Sequence, residues 1–170
     1  KNFSFNTLSK QGSNCNGNAN NYILDTTITT TVVKGSSYSV SMQSGSFKQG
    51  FGVWIDYNQD GDFGDTNEFV YATPAPATTA FTGTVAVPLG AMAGKTRLRV
   101  RSSYNDTLMA SQFCDSLFYG ETEDYLITIN APSTASYCIP KYTNLCSSGD
   151  YVKNFSFNTL SKQGSNCNGN

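Results

Sequence analysis

VWIDYNQDGDFGDTNEFVYAT, residues 53–73, decides the fold class. An apolar triplet precedes Asp56 and an apolar, β-branched run follows Glu68, and the segment between is rich in Asp, Asn and Gly. Flanks of this kind have no 3.6-residue period and read as two strands, and the glycine-bearing polar insert reads as the loop joining them. The same pattern extends outward. Residues 2–8, 22–34, 37–43, 50–57, 68–73, 80–88, 95–102 and 123–130 are β-branched, aromatic or alternating, and clusters such as GSNCNGNANN and QSGSFKQG punctuate them. About eight short strands at this spacing predict an all-β chain, a two-sheet antiparallel β-sandwich of jelly-roll type with the acidic insert in a hairpin.

Composition narrows the function. Charged residues make up 14% of the chain and the net charge is −1, too weak a positive field to hold nucleic acid or an anionic membrane surface. Histidine is absent, which removes the commonest general base, the partner of Ser and Cys nucleophiles, and the usual zinc ligand. No apolar run approaches the length of a membrane span, so neither nucleic-acid binding nor membrane insertion is expected. Lys1 does not read as a native start, so the lack of a leader peptide carries no information about export.

Residues 1–18, KNFSFNTLSKQGSNCNGN, recur unchanged as residues 153–170, an offset of 152. A period of one domain length predicts a tandem array of near-identical copies. The organisation expected is a β-sandwich over residues 1–130 that lacks its first ~15 residues, a linker over 131–136 containing Pro132, and the start of the next copy over 137–170. The five cysteines, Cys15, Cys114, Cys138, Cys146 and Cys167, form no C-x-x-C pair and read as disulfide partners in an oxidising compartment. Cys167 repeats Cys15, so one period holds four cysteines, which permits two bridges in three connectivities.

Nine of the twelve acidic residues fall in two segments, 56–68 and 115–124. In the first, Asp56, Asn58, Asp60 and Asp62 alternate around Gly61, with Glu68 beyond. Oxygen side chains at alternate positions on a tight turn suit a hard cation that takes six to eight oxygens, and Ca2+ fits better than Mg2+. The spacing resembles an EF-hand loop, but the twelfth position is Asn67 and the flanks are strands, so a helix–loop–helix sensor is not expected. The alternative is an Asx-rich turn without metal.

In the strand TRLRVRSSY, Leu98 and Val100 alternate with Arg97, Arg99 and Arg101, the only arginines of the chain. An arginine row facing water is one reading. The other is a structural charge cluster with Glu121, Glu123 and Asp124 of GETEDYLITI, which would clamp the last strand into its sheet. Alternation places Glu121 and Glu123 on one side and Asp124 on the other. A carboxylate pair also serves glycosidases, but nothing in the sequence places this one in a cleft, and the chain is not expected to be an enzyme.

VWIDYNQDGDF, Glu68, TRLRVRSSY and Cys114 followed by YGETEDYLITI together resemble the GEVED domain family, with Thr122 at the position of the signature valine. The resemblance spans about Ser37 to Asn130 and the Tyr137-Cys138 opening of the next copy. It implies a β-sandwich of large exported proteins, especially in Bacteroidota using type IX secretion, without an activity of its own. It also implies that Cys114 pairs with the Cys138-equivalent of its own copy, leaving Cys146 with Cys167, so that Cys15, Cys114 and Cys138 pair outside or across this window. Thr26, Thr107 and Ser116 are similar to O-glycosylation acceptors of such proteins. The reading is a structural and adhesive repeat of a large extracellular surface protein or filament, stabilised by Ca2+ and disulfides. Its partners would be neighbouring copies, surface glycans or other cells. The alternative is a carbohydrate-binding accessory module of a secreted hydrolase, with Trp54, Tyr57, Phe63, Tyr71, Tyr104 and Phe118 as candidate platforms, although Trp54 within VWI suits a core.

Overall fold

The computed structural model describes residues 1–14, 19–133, 154–157 and 160–163. The chain divides into two units, Lys1–Ser133 and Thr134–Asn170. In the first unit nine strands form two sheets. Their ranges are β1 Asn2–Phe5, β2 Leu8–Lys10, β3 Tyr22–Val33, β4 Ser37–Gln43, β5 Gln49–Ile55, β6 Phe69–Ala72, β7 Phe81–Ala86, β8 Gly94–Tyr104 and β9 Gly120–Asn130. One sheet has the order β2-β1-β4-β7 and the other β3-β9-β8-β5-β6. Among the described residues, helical structure is limited to two short 3-10 turns, Ala19–Asn21 and Ala110–Phe113. The chain is therefore the all-β sandwich its alternation indicates. Among the described residues no helix is long and apolar enough to cross a membrane.

Two features depart from the strand pattern read in the sequence. Residues 2–8 are not one strand, because Asn6 adopts φ 53° and turns the chain into the β1–β2 hairpin. Asparagine tolerates this left-handed conformation better than other non-glycine residues. The five-stranded sheet is also mixed. β3 runs parallel to β9, whereas every other pairing is antiparallel. Parallel pairing needs a long crossover, and here the chain from β4 to β8 supplies it. β3 carries a bulge between Asp25 and Thr29, at which the pairing moves from Tyr125 directly to Leu126.

Alternation fills the space between the sheets. Phe3, Phe5, Leu8, Val40, Met42 and Val85 from one sheet meet Val32, Phe51, Val53, Ile55, Leu98, Val100, Tyr125, Ile127 and Ile129 from the other, all buried. Phe3 stacks on Tyr125 with centroids 5.6 Å apart. Burying such side chains contributes about 1.5–3 kcal/mol each, which is the main drive to this fold.

In the second unit, β10 Asn154–Phe157 pairs with β11 Leu160–Gln163. Phe155↔Lys162, Ser156↔Ser161 and Phe157↔Leu160 reproduce Phe3↔Lys10, Ser4↔Ser9 and Phe5↔Leu8. The repeated sequence adopts the same register in both copies, so the hairpin is encoded by its own residues.

The hairpin is tied to β3 by Lys10, whose ammonium lies 2.7 Å from Asp25 Oδ2. Asp25 Oδ1 caps the bulge by accepting the Thr27 N–H at 2.9 Å and its hydroxyl at 2.6 Å. The hydrogen bonds from Lys10 and then Thr27 hold the Asp25 carboxyl down at about 2. A folded carboxyl below its unfolded value of about 3.9 contributes stability that is complete above that value and is lost as pH falls towards 2. Asp25→Asn is expected to lower stability at pH 7 and to flatten its decline between pH 4 and 2, read by urea unfolding across that range.

Candidate metal centre

The acidic loop leaves β5 at Asp56 and returns at Glu68, and its neck is closed by Ile55 N–H donating to Glu68 O at 2.9 Å. Within it, Asx turns succeed one another at alternate residues. Asn58 Oδ1 accepts the Asp60 N–H at 3.1 Å, Asp60 Oδ1 the Asp62 N–H at 3.1 Å, and Asp62 Oδ1 the Gly64 N–H at 2.7 Å. Gly61 at φ 96° lets the chain curl without a Cβ in the left-handed region. These turns bring Asp60, Asp62 and Asp65 together, each offering a carboxylate oxygen within 4.8 Å of the other two, and all three are exposed. At 2.3–2.6 Å per bond, ligands of one calcium-sized ion stand no more than about 5 Å apart. The cluster can hold a metal ion.

Not every residue of the expected ligand set joins it. Asp56 is buried and accepts the Gln59 N–H at 2.6 Å and the Gly61 N–H at 3.3 Å, so it shapes the turn from below. Asn58 directs its amide N–H groups to Asp60 at 2.8 Å and Asp65 at 2.7 Å, a partial positive charge between two carboxylates. Asp65, outside the alternating set, takes the third place. The Asp62 N–H and then the Asn58 amide hold the Asp60 carboxyl below its ordinary value. Glu68 is 1% exposed at the base of the loop. One of its oxygens accepts the Tyr57 N–H at 2.8 Å, and Oε2 has no partner among the described residues. Burial pushes its carboxyl up. Three carboxylates clustered in this way are the chemistry of a cation site, and Glu68, a buried carboxylate at the base of the same loop, is not among the clustered three.

The arginine strand supports the loop from the outer face of the five-stranded sheet. That face is not open to water. Trp54, Phe63 and Leu108 form a second small core there, with Phe69, Phe113 and Leu117 packed around it. Gly50 and Gly52 make room for it. A Cβ on Gly50 would stand 2.2 Å from Asp106 O, and one on Gly52 2.5 Å from the Trp54 ring. Arg99 lies 4.7 Å above the Phe63 ring. It meets Asp124 through Nε at 2.7 Å and Nη2 at 2.8 Å, and donates from Nη1 to Phe113 O at 2.9 Å and Cys114 Sγ at 3.3 Å. Asp124 is fully buried and also accepts the Tyr22 hydroxyl at 3.0 Å. Arg97 approaches Asp124 at 3.5 Å. Arg101 is buried rather than solvated and meets no carboxylate among the described residues. It donates to Thr122 Oγ1 at 3.0 Å, Asp115 O at 2.6 Å and Gln112 O.

The expected charge cluster is thus divided between two faces. Glu121 and Glu123 point inward, where the Lys1 ammonium lies 2.8 Å from Glu121 and the Tyr125 hydroxyl donates to Glu123 at 2.6 Å. Burial and the contact with Glu121 push the Glu123 carboxyl up, whereas Glu121, despite its burial, is held down by its hydrogen bonds with Glu123 and then Lys1. Cys114 is exposed and in no disulfide, while Cys15, Cys138, Cys146 and Cys167 lie outside the described residues. Thr26, Thr107 and Ser116 are exposed. Of the aromatic platforms considered, Trp54, Tyr57 and Phe63 are buried and Tyr71 is half-buried; Tyr104 and Phe118 are exposed.

A family model for the GEVED domain matches residues 50–128, which run from within β5 into β9 and contain both the acidic loop and the arginine–aspartate contact. No curated protein matches the chain. Among solved structures, the fusolin spindles of Wiseana spp entomopoxvirus are similar at 13% identity and a TM-score of 0.37, over 77% of this chain and 50% of that one. The chain therefore spans about half the length of that structure.

Removing Asp124 leaves the Arg99 guanidinium buried without its counter-charge, at a cost of about 3–5 kcal/mol. Asp124→Asn is accordingly expected to lower the denaturation midpoint sharply, whereas Asp106→Asn, at an exposed acid, leaves it nearly unchanged. Chemical denaturation of the two variants beside the parent checks this.

Proposed function

We propose that this chain, whose residues 50–128 match the GEVED domain, is a structural and adhesive unit of a large extracellular protein built from serial copies of this sequence. The observation that carries the reading is the recurrence of residues 1–18 as 153–170. The matching register of the β1–β2 and β10–β11 hairpins supports it. Serial copies give reach, and the unit over residues 1–133 buries a core of its own.

The resident ion is Ca2+, held by Asp60, Asp62 and Asp65 in a loop that Phe63 anchors to the outer face. Its chemistry is charge neutralisation, because three exposed carboxylates this close repel one another and a bound cation reverses the sign of that interaction. The disulfides implied by the family, Cys114 with the Cys138-equivalent of its copy and Cys146 with Cys167, suit an extracellular location.

The unit is not an enzyme in this reading. Glu121 and Glu123, the carboxylate pair of glycosidase type, share a hollow of about 10 Å3, room for one water molecule. Glu121 also borders a hollow of about 510 Å3, but Glu123 does not line it, so the two carboxylates do not face a common cleft of substrate size.

Ca2+ at about a hundredfold excess over Kd contributes about 2.7 kcal/mol, which corresponds to a melting shift of roughly 5–10 °C for a chain of this size. The expectation is a melting temperature that falls by that amount when EGTA replaces Ca2+, with no such response in an Asp60→Ala/Asp62→Ala variant. Identical melts with and without Ca2+ would remove the cation from the account.

A further inference from the structure

Four large aromatic side chains are exposed at one end of the sandwich, where β8 ends and β9 begins. Phe47 is 68% exposed, Tyr104 47%, Phe118 92% and Tyr119 63%. They touch in series, edge to face. Phe47 and Tyr104 have centroids 6.1 Å apart, Tyr104 and Tyr119 6.0 Å, and Phe118 and Tyr119 5.0 Å. Tyr104 N–H donates to Tyr119 O at 2.9 Å and Asn105 N–H to Lys48 O at 3.0 Å, which ties together the segments bearing the rings. A contiguous apolar patch of this kind marks a surface that further chain covers.

The repeat identifies that chain. Lys153, the second occurrence of Lys1, is preceded by YCIPKYTNLCSSGDYV, residues 137–152. In serial copies the same sixteen residues lead into Lys1. Lys1 already stands in the patch, since with Phe47, Tyr104 and Tyr119 it lines a hollow of about 560 Å3. Its backbone nitrogen donates to Ser13 O at 2.5 Å and its carbonyl accepts the Ser13 N–H at 2.9 Å, so the point at which the segment arrives is fixed. A second hollow, of about 510 Å3, shares Asn21 and Gly120 with the first and extends to Cys114. Cys114 is exposed and in no disulfide, and the segment carries Cys138 and Cys146.

Length, charge and composition all suit this occupant. Sixteen extended residues reach up to about 50 Å, more than twice the roughly 20 Å of two hollows this size laid end to end. The segment holds one cation, Lys141, and one anion, Asp150. Lys1 in the wall is paired with Glu121 at 2.8 Å, so neither side brings a net charge to the contact. Three tyrosines, Ile139, Leu145 and Val152 supply apolar area, and tyrosine rings pack edge to face on exposed rings. Gln49 is 8% exposed and its Oε1 has no partner among the described residues; a backbone N–H of an incoming segment is the donor such a buried oxygen requires. We infer that the aromatic end between Lys1 and Cys114 is the docking surface for the segment that precedes Lys1 in its own copy, with the sequence of residues 137–152, and that the sandwich is complete only with it. This deepens the serial-copy reading and rests on it.

The test is hydroxyl-radical footprinting, read by mass spectrometry, of three proteins in Ca2+ without reductant. They are the 170-residue chain, the same chain extended before Lys1 by YCIPKYTNLCSSGDYV, and a chain whose extension is scrambled except for its two cysteines, so that any disulfide is kept. The expected result is loss of most of the oxidation at Phe118 and Tyr119 in the natural extension alone, with Leu89, 70% exposed between β7 and β8, oxidised equally in all three. The natural extension should also melt at least about 5 °C above the scrambled one, as burial of several rings requires. Equal oxidation of the rings with and without the natural extension, or equal protection by the scrambled one, would overturn the inference. Rings already protected in the unextended chain would overturn it too, by giving the patch another occupant. Sequencing the natural gene upstream of the Lys1 codon tests the array separately. A different sequence there removes the array and this inference with it, whereas unprotected rings beside an intact repeat remove the inference alone.

Discussion

The structure depends on one contact, the two-pronged pairing of Arg99 with Asp124 on the outer face of the five-stranded sheet. A sandwich ordinarily leaves that face to water. Here it carries a second layer, made by the acidic loop and the connection between β8 and β9, and a buried guanidinium joins the layer to the sheet. Arg99 is tolerated there because Asp124 neutralises it and the Phe63 ring and Phe113 carbonyl occupy its remaining surface. Arg101 repeats the arrangement one turn of the alternation further on, with carbonyls in place of a carboxylate. Guanidinium suits this role because its donors are fixed in a planar fork.

The segment GETEDY, residues 120–125, then has a physical meaning at each position. Gly120 permits the close approach to Ser102. Glu121 faces Lys1, Thr122 accepts from Arg101, and Glu123 accepts the Tyr125 hydroxyl. Asp124 holds Arg99, and Tyr125 stacks on Phe3 across the core. The signature of the family is thus the place where the inner core, the sheet and the outer layer are joined. In this account the charges of this segment serve architecture, since Asp124 and Glu121 each hold a cationic side chain in place.

Much of this was legible in the residues. Strand positions follow period-2 alternation, the hairpin bearing the acidic loop follows from its flanks, and the opposed faces of Glu121 and Asp124 follow from parity alone. Parity says which residues share a face but not what covers it, so the sequence could not show that Arg99 and Arg101 are buried under a second layer. Gly50 and Gly52 in β5 were the available clue, since glycine inside a strand marks close approach of other atoms. The parallel pairing of β3 with β9 was hidden because alternation is the same in either direction. Asp65 was missed as a cluster member because Asx turns, not alternate spacing, carry it towards Asp60. Phe47 and Tyr119 were missed because a single aromatic in a loop carries no pattern, and only the sheet brings strand ends distant in sequence to one place.

Native-state hydrogen exchange across residues 94–130 tests the central role of Arg99 most directly. If the guanidinium joins the outer layer to the sheet as one cooperative body, the amides of Tyr104, Asn105 and Gln112 should exchange with the same free energy and denaturant dependence as those of Leu98 and Val100 inside β8. Exchange of the connection's amides through a low-energy local opening, while β8 stays protected, would contradict the account and reduce the arginine to a surface contact.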